Sequence, residues 1–269
     1  MKTYFFVSIL ALVAFSAFSQ QAANDYYSKK LNELNKSIAR ENDNPALYYA
    51  RADIYDELND FQNANRDYIR VIELYQKHPD SKYAGEYAKS CYRLADDYFF
   101  RSSNREKALK YVRKGLEISS DFKDLEILEA VLMGLDSNMH DAAASKYKTL
   151  HEKYPDDIRL SMYYAKFLQA SAPLSAAALY ERVIATDPAN KEALLSLGII
   201  YNNEATRLSE GTVSDPAVVW DYAKKAIVRF EKLHKLNPSD KELANVLHHL
   251  YTELNEKGKA KMLEIQTPY

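Results

Sequence analysis

Apolar residues recur along the chain at spacings of three and four, the mark of helices that each bury one stripe. One pattern returns at fixed places: Ala143-x3-Tyr147, Ala176-x3-Tyr180 and Ala226-x3-Phe230, each followed at the same distance by Pro155, Pro188 or Pro238. Ala64-x3-Tyr68 and Ala108-x3-Val112 repeat the helical part without the timed proline. A second pattern precedes several of these. It is clearest in Leu194-x2-Leu197-Gly198-x2-Tyr201, and returns as Cys91-x2-Leu94-Ala95-x2-Tyr98 and Tyr48-x2-Arg51-Ala52-x2-Tyr55. A last copy, Ala244-x2-Leu247-His248-x2-Tyr251, starts just after Pro238. Paired in this way, the two patterns predict helical hairpins. A small residue in the first helix (Gly198, Ala95 or Ala52) admits the second, whose own small residue is Ala226, Ala108 or Ala64. Proline stops the second helix because it cannot continue the hydrogen-bond ladder. Asn44 and Asn190 stand where the caps of the following helices belong.

These residues resemble the tetratricopeptide repeat, a helix–turn–helix unit of ~34 residues. The resemblance covers residues 45–269 as about five units and a terminal capping unit, with 20–44 as a leading helix. It implies an all-α fold, a right-handed α-solenoid of stacked hairpins whose concave face is lined mainly by first helices. Some positions depart from the family pattern. Arg51 stands where Leu is usual, although arginine is tolerated there. The first-helix register of the third and fourth units is open by a residue or two, around Leu125–Leu135 and Leu160–Leu168. The second unit carries an extra residue near Ser102-Ser103-Asn104. In the fifth unit Tyr201 and Ala226 are 25 residues apart, against 9 between Tyr55 and Ala64, so 16 are inserted. That insertion, at 205–220, reads as lengthened helices, with Asp215 as a cap and Pro216 in the first helical position.

Composition narrows the picture. Only 6 Gly and 8 Pro in 269 residues leave room for few turns, which argues against an all-β sandwich. The 22 Tyr and 10 Phe, within 47% hydrophobic residues, argue against a disordered chain. A formal charge of −2 gives no bulk attraction to nucleic acid or anionic lipid, so neither is expected as a partner. Residues 1–19 read as a cleavable signal peptide: Lys2, an apolar run from Tyr4 to Phe18, then Ala17-Phe18-Ser19. The run is shorter than the ~20 residues that span a bilayer, so no stable transmembrane insertion is expected. The protein is accordingly expected to be exported, periplasmic or secreted. Cys91, the single cysteine, has no internal disulfide partner. It reads as a small buried residue on a helix, with a reactive thiol as the alternative.

In the family, partners are peptides or helices laid along the groove, and the residues just after the bulky and small members of the first-helix pattern point into it. Here those are Tyr49 and Asp53, then Tyr92 and Asp96, a Tyr-x3-Asp pair repeated on one helical face. Farther along, Leu195, Ile199 and Asn202 form a more apolar patch, and Asn245 with His249 belongs to the last unit. Members that clamp a C-terminal carboxylate present Lys and Asn at the places of Tyr49 and Asp53. An acidic, phenolic surface repels a carboxylate and suits a basic or hydroxyl-rich ligand. The alternative is that Tyr49 and Tyr92 bridge adjacent repeats while the aspartates are solvated. Trp220, the only tryptophan, either packs near Leu208 or is a docking knob. In the third unit Leu125, Leu128, Leu132 and Leu135 form one apolar stripe and Ile127, Ala130, Val131 and Gly134 another, which meets neighbouring repeats or floors the groove.

Motifs for chemistry are missing. No histidine lies in a metal-binding spacing, and His140 and His151 sit ~16 Å apart on one helix. There is no Gly-rich phosphate loop and no G-x-S-x-G elbow. Acid pairs such as Asp96-Asp97 and Asp156-Asp157 read as helix faces or caps. The basic group Arg105, Lys107, Lys110, Arg113 and Lys114 reads as a solvated second-helix face. Since the repeats use up the mature chain, no enzyme, cofactor or metal is expected. The expected role is a non-enzymatic adaptor in a bacterial cell envelope that captures a protein or peptide. The alternative is a homo-oligomer that docks through the extended hairpin around Trp220.

Overall fold

The computed structural model describes residues 25–211, 215–256 and 259–260. The expected signal peptide, residues 20–24 of the leading segment and 212–214 of the insertion lie outside them. Helices follow one another through short turns, and no strand occurs among the described residues. α1 spans 25–40. It is followed by α2 (Pro45–Glu57), α3 (Phe61–Lys77), α4 (Ala84–Asp96), α5 (Arg105–Ile118) and α6 (Lys123–Gly134). Then come α7 (His140–Lys153), α8 (Ile158–Leu168), α9 (Pro173–Thr186), α10 (Lys191–Ser209), α11 (Pro216–Leu236) and α12 (Lys241–Glu253). α2 pairs with α3, α4 with α5, α8 with α9, and α10 with α11 as hairpins. The chain divides into two compact units, Met1–Leu132 and Met133–Tyr269.

Local sequence sets the helix ends. The side chains of Asn44, Asp60, Asn104, Asp157, Asn190, Asp215 and Asp240 each accept a hydrogen bond from an amide two or three residues on. Pro45, Pro173 and Pro216 occupy first helical positions, where the missing amide hydrogen costs nothing. Pro155, Pro188 and Pro238 each stand two residues beyond the end of α7, α9 or α11. The insertion is absorbed by α10 and α11, which run to 19 and 21 residues.

In the first unit, Ala52, Ala64, Tyr68, Ile72, Tyr87, Cys91 and Leu94 share one core cluster. A second joins Ala88, Ala95, Ala108, Val112, Leu125, Leu128 and Leu132. The leading helix docks through Ile38, which packs on the cluster of Tyr48, Val71 and Leu74. Its Asn35 also accepts a hydrogen bond from Arg51 Nη1 at 2.7 Å. Arg51, the departure from the apolar pattern, donates from its other two nitrogens, Nε and Nη2, to Asp67 at 2.6 and 2.7 Å. That bidentate geometry is what allows Asp67 to be 3% exposed. Cys91 is buried, and burial pushes its thiol up to about 12. It is an inert core residue rather than a reactive one.

The second unit has a continuous core running through α8–α12, from Ala165, Ala176, Tyr180 and Val183 to Leu194, Leu197, Ala226, Phe230 and Leu247. Each buried Val, Leu or Phe among them contributes about 1.5–3 kcal/mol relative to exposure. Ala260 joins the same core beyond the turn that follows α12. Gly198 explains itself: a Cβ there would run into three ring carbons of Phe230.

Four sequence readings change. The extra residue of the second unit is absorbed one turn earlier than expected, as a π-helical turn at Asp97–Arg101, with Ser103 taking a left-handed φ of 49°. Asp97 is therefore no solvated acid: it is buried, accepts from Asn65 Nδ2 at 2.9 Å and pairs with Arg101 at 2.9 Å. Arg105 also leaves the solvated set, donating to the Leu132 carbonyl at 2.8 Å. In the third unit, Leu135 falls beyond the end of α6 and is exposed, which ends the Leu125–Leu128–Leu132 stripe one member early.

Candidate functional site

In the first unit, Tyr49 and Asp53 lie on α2 facing α4, as their i, i+4 spacing requires. Tyr49 is half-buried, its ring 5.9 Å from that of Tyr68 and 5.8 Å from Lys89 Nζ. Burial raises the Tyr49 hydroxyl above its usual range, and the Asp53 charge adds to the rise. Between these side chains stands Arg93 of α4. It lies 3.5 Å from Asp53 Oδ1 and 3.7 Å from Asp56 Oδ2, while Tyr68 donates to Asp56 at 2.9 Å. The surface is therefore not acidic throughout, because a guanidinium forty positions along the chain neutralises part of it. Its contacts are long and half-exposed, unlike the short Arg51–Asp67 pair.

Tyr92 and Asp96 occupy the matching places on α4. The Tyr92 ring lies 6.4 Å from Phe122, so this tyrosine reaches the segment entering α6. Both tyrosines thus make contacts between successive hairpins, and both keep part of their surface exposed.

In the second unit, Leu195 and Ile199 are 43% and 39% exposed on α10, and Asn202 follows on the same helix. Ile199 forms part of an open cleft of about 540 Å³ with Lys166, Gln169, Ala170, Pro173, Asn203 and their neighbours. Its walls are the first helices α8 and α10. The apolar floor is Ile199, Ile200, Ala170 and Pro173, and the rim carries two ion pairs. Lys166 meets Glu192 at 2.6 Å, and Arg207 grips Glu204 through two nitrogens at 2.9 and 2.5 Å. That grip holds the Glu204 carboxyl below its usual range. Neutralised charge, amide groups and an apolar floor can seat a side chain and hydrogen-bond a peptide backbone.

The structure also fixes what the sequence left open in the fourth unit. The aligned first-helix positions are Ser161, Tyr164, Ala165 and Leu168, with Ser161 and Ala165 buried like Leu194 and Gly198. This register brings Lys166, Gln169 and Ala170 to the cleft, none of which sequence reasoning named. Trp220 is 44% exposed and Val218 43%, so both keep part of their surface open on α11. Neighbouring hairpins are further joined by tyrosine–carboxylate bonds. Tyr201 donates to Glu181 at 3.0 Å, and Tyr251 to Glu231 at 2.7 Å. Burial and the acceptor carboxylate together push both hydroxyls well above their usual range.

Among the described residues, no group of His, Cys, Asp and Glu could hold a metal ion. No helix among them is long and apolar enough to cross a membrane.

Comparison with known proteins follows this geometry. Residues 45–78, which hold α2 and α3, match the family model of the tetratricopeptide repeat. No curated protein matches the chain in sequence. Among solved structures, the fold is similar to that of YrrB, a TPR protein with an unusual peptide-binding site. The TM-score is 0.55 at 15% identity, over 79% of this chain and 96% of that one. Human IFIT1, solved as a dimer with m7Gppp-AAAA, gives 0.52 at 15% identity, over 88% of this chain and 54% of that one. MamA gives 0.51 at 16% identity, over 72% and 95%. At these identities the likeness is one of fold: stacked helical hairpins of the tetratricopeptide-repeat kind.

Proposed function

We propose that this protein is a non-enzymatic scaffold that binds another protein or peptide along the exposed faces of its first helices. The observation that carries this reading is the cleft between α8 and α10, where exposed Ile199 belongs to an apolar lining with Ile200, Ala170 and Pro173 and the rim charges are already paired. A solvated, charge-neutral, partly apolar cleft favours an uncharged stretch of peptide, with backbone groups meeting the Gln169 and Asn203 amides. YrrB, a fold neighbour, carries a peptide-binding site, which supports the same use of the fold. In the first unit, Tyr49, Asp53, Tyr92 and Asp96 form a second, more polar contact face.

The setting is part of the proposal. Lys2, the apolar run from Tyr4 to Phe18 and the small residues up to Ser19 support export, and we place the mature chain in the periplasm or outside a bacterial cell. Selection of peptides from a random display library against residues 20–269 tests the binding role. The selected peptides bind wild-type protein and lose at least about tenfold in affinity on Ile199→Asp, about 1.4 kcal/mol. Peptides that bind the Ile199→Asp protein equally well would move the site away from the cleft.

A second reading rests on Trp220 and Val218, whose exposed side chains on α11 suit self-association. Mass that rises with concentration by sedimentation, and no longer does in Trp220→Ala, supports it. A monomer at every concentration rejects it.

A further inference from the structure

His151, in the last turn of α7, and Arg182, on α9, lie within one unit and meet at 3.0 Å between Nε2 and Nη1. A guanidinium has donors and no acceptor, so Nε2 must be the unprotonated nitrogen of a neutral ring. The ring proton then sits on Nδ1, which is buried. Arg182 spends a second nitrogen, Nη2, on the Pro155 carbonyl at 2.6 Å, in the turn between α7 and α8. One side chain thus ties both the end of α7 and the turn after it to α9.

We propose that His151 and Arg182 form a pH-sensitive latch, closed while the imidazole is neutral and opened when Nε2 takes a proton. Protonation removes the acceptor and sets an imidazolium against a guanidinium at hydrogen-bond distance, so attraction becomes repulsion. The surrounding charges do not offset this. On α7 the facing groups are Glu152 and Tyr147; from the turn, Asp156; from α8, Tyr164, whose ring is 6.0 Å away; from α9, Arg182 itself. Glu152 and Asp156 favour an imidazolium, but Asp156 is fully exposed and 3.8 Å from Arg182. Burial and the Arg182 charge hold His151 below the ordinary histidine range. In a stack of repeats, successive second helices pack on one another, so the latch acts on how α7 and α9 sit together within this unit.

Nitrogen-15 NMR of histidine-labelled protein provides the test. At pH about 8, His151 shows the Nδ1–H tautomer, the rarer one for free imidazole, and on acidification it titrates below about 6.5. The protection factors of the His151–Tyr154 amides, exchange corrected for its intrinsic pH dependence, fall as it titrates, by about tenfold for each pKa unit separating it from free histidine. His151→Gln, which keeps an acceptor for Arg182 but cannot titrate, makes those protection factors independent of pH over this range. Should His151→Gln fail to fold, Arg182→Gln serves instead: there His151 rises toward its ordinary value. An Nε2–H tautomer at pH about 8, protection factors in His151→Gln that still fall with pH as in the parent, or a His151 titration unmoved by Arg182→Gln would overturn the proposal.

Discussion

Adding one methyl group at each of two glycines should move stability in opposite directions. At Gly198, in the buried face of α10, a Cβ would meet Phe230 Cδ1 and Cζ at 2.7 Å and clash with Cε1 as well. Phe230 is itself buried in the core of the second unit, so its ring cannot swing into solvent. At Gly85, near the start of α4, a Cβ meets nothing within 4 Å. Alanine favours a helix over glycine by about 1 kcal/mol in the interior and by less near the first turn. Overfilling a packed core costs about 1–3 kcal/mol. Gly198→Ala therefore comes out about 1 kcal/mol less stable than the parent, whereas Gly85→Ala is about 0.5 kcal/mol more stable. The assay is urea unfolding followed by helical circular dichroism and by fluorescence of Trp220, the single tryptophan, which lies in the α10–α11 hairpin. In thermal scans the Gly198→Ala midpoint falls by about 2–4 °C. A Gly198→Ala protein as stable as the parent would refute the reasoning, because it would mean that the Phe230 ring moves aside at no cost.

Asp67→Ala leaves Arg51 without its bidentate acceptor and costs about 2 kcal/mol in urea unfolding. Tyr201→Phe removes the hydrogen bond to Glu181, which Arg229 still engages, so the loss is about 1 kcal/mol by the same measurement. Cys91 stays unmodified by a thiol reagent at neutral pH in folded protein and reacts fully in denaturant, read by mass spectrometry, because its buried thiol is raised to about 12. His151, lowered by burial and Arg182, contributes stability that is complete above about pH 6.5 and lost as pH falls through its folded value, so His151→Gln flattens that limb of the stability–pH curve.

Much of this fold was legible in the chain because its code is local. Ala64, Ala108, Ala143, Ala176 and Ala226 are all completely buried, and the aromatic or Val four residues on from each is nearly so. Small-residue spacing, caps and prolines act within one or two turns of helix, so a linear reading captures them. The fourth unit was harder. The run Ser161-Met162-Tyr163-Tyr164-Ala165-Lys166-Phe167-Leu168 has apolar residues on nearly every face, so its period does not single out a buried stripe. Its register follows from neighbours: Tyr164 stacks on Tyr147 at 5.3 Å and Ala165 enters the shared core.

The candidate site divides along the same line. Tyr49, Asp53, Leu195 and Ile199 could be named from their place in the repeat, because helical spacing alone puts them on an outer face. That Arg93 stands between Asp53 and Asp56, or that Lys166 and Gln169 share a cleft with Ile199, depends on which hairpin lies beside which. The sequence by itself determined where most helices begin and end, which stripe is apolar outside the first helices of the third and fourth units, and where proline and glycine break or admit a neighbour. Tertiary structure decided the pairing of charges, the protonation forced on His151 and the exposure of Trp220. Those depend on groups from different helices, 31 positions apart for His151 and Arg182 and 40 for Arg93 and Asp53, and burial and Coulomb forces between distant residues carry no periodic trace along the chain.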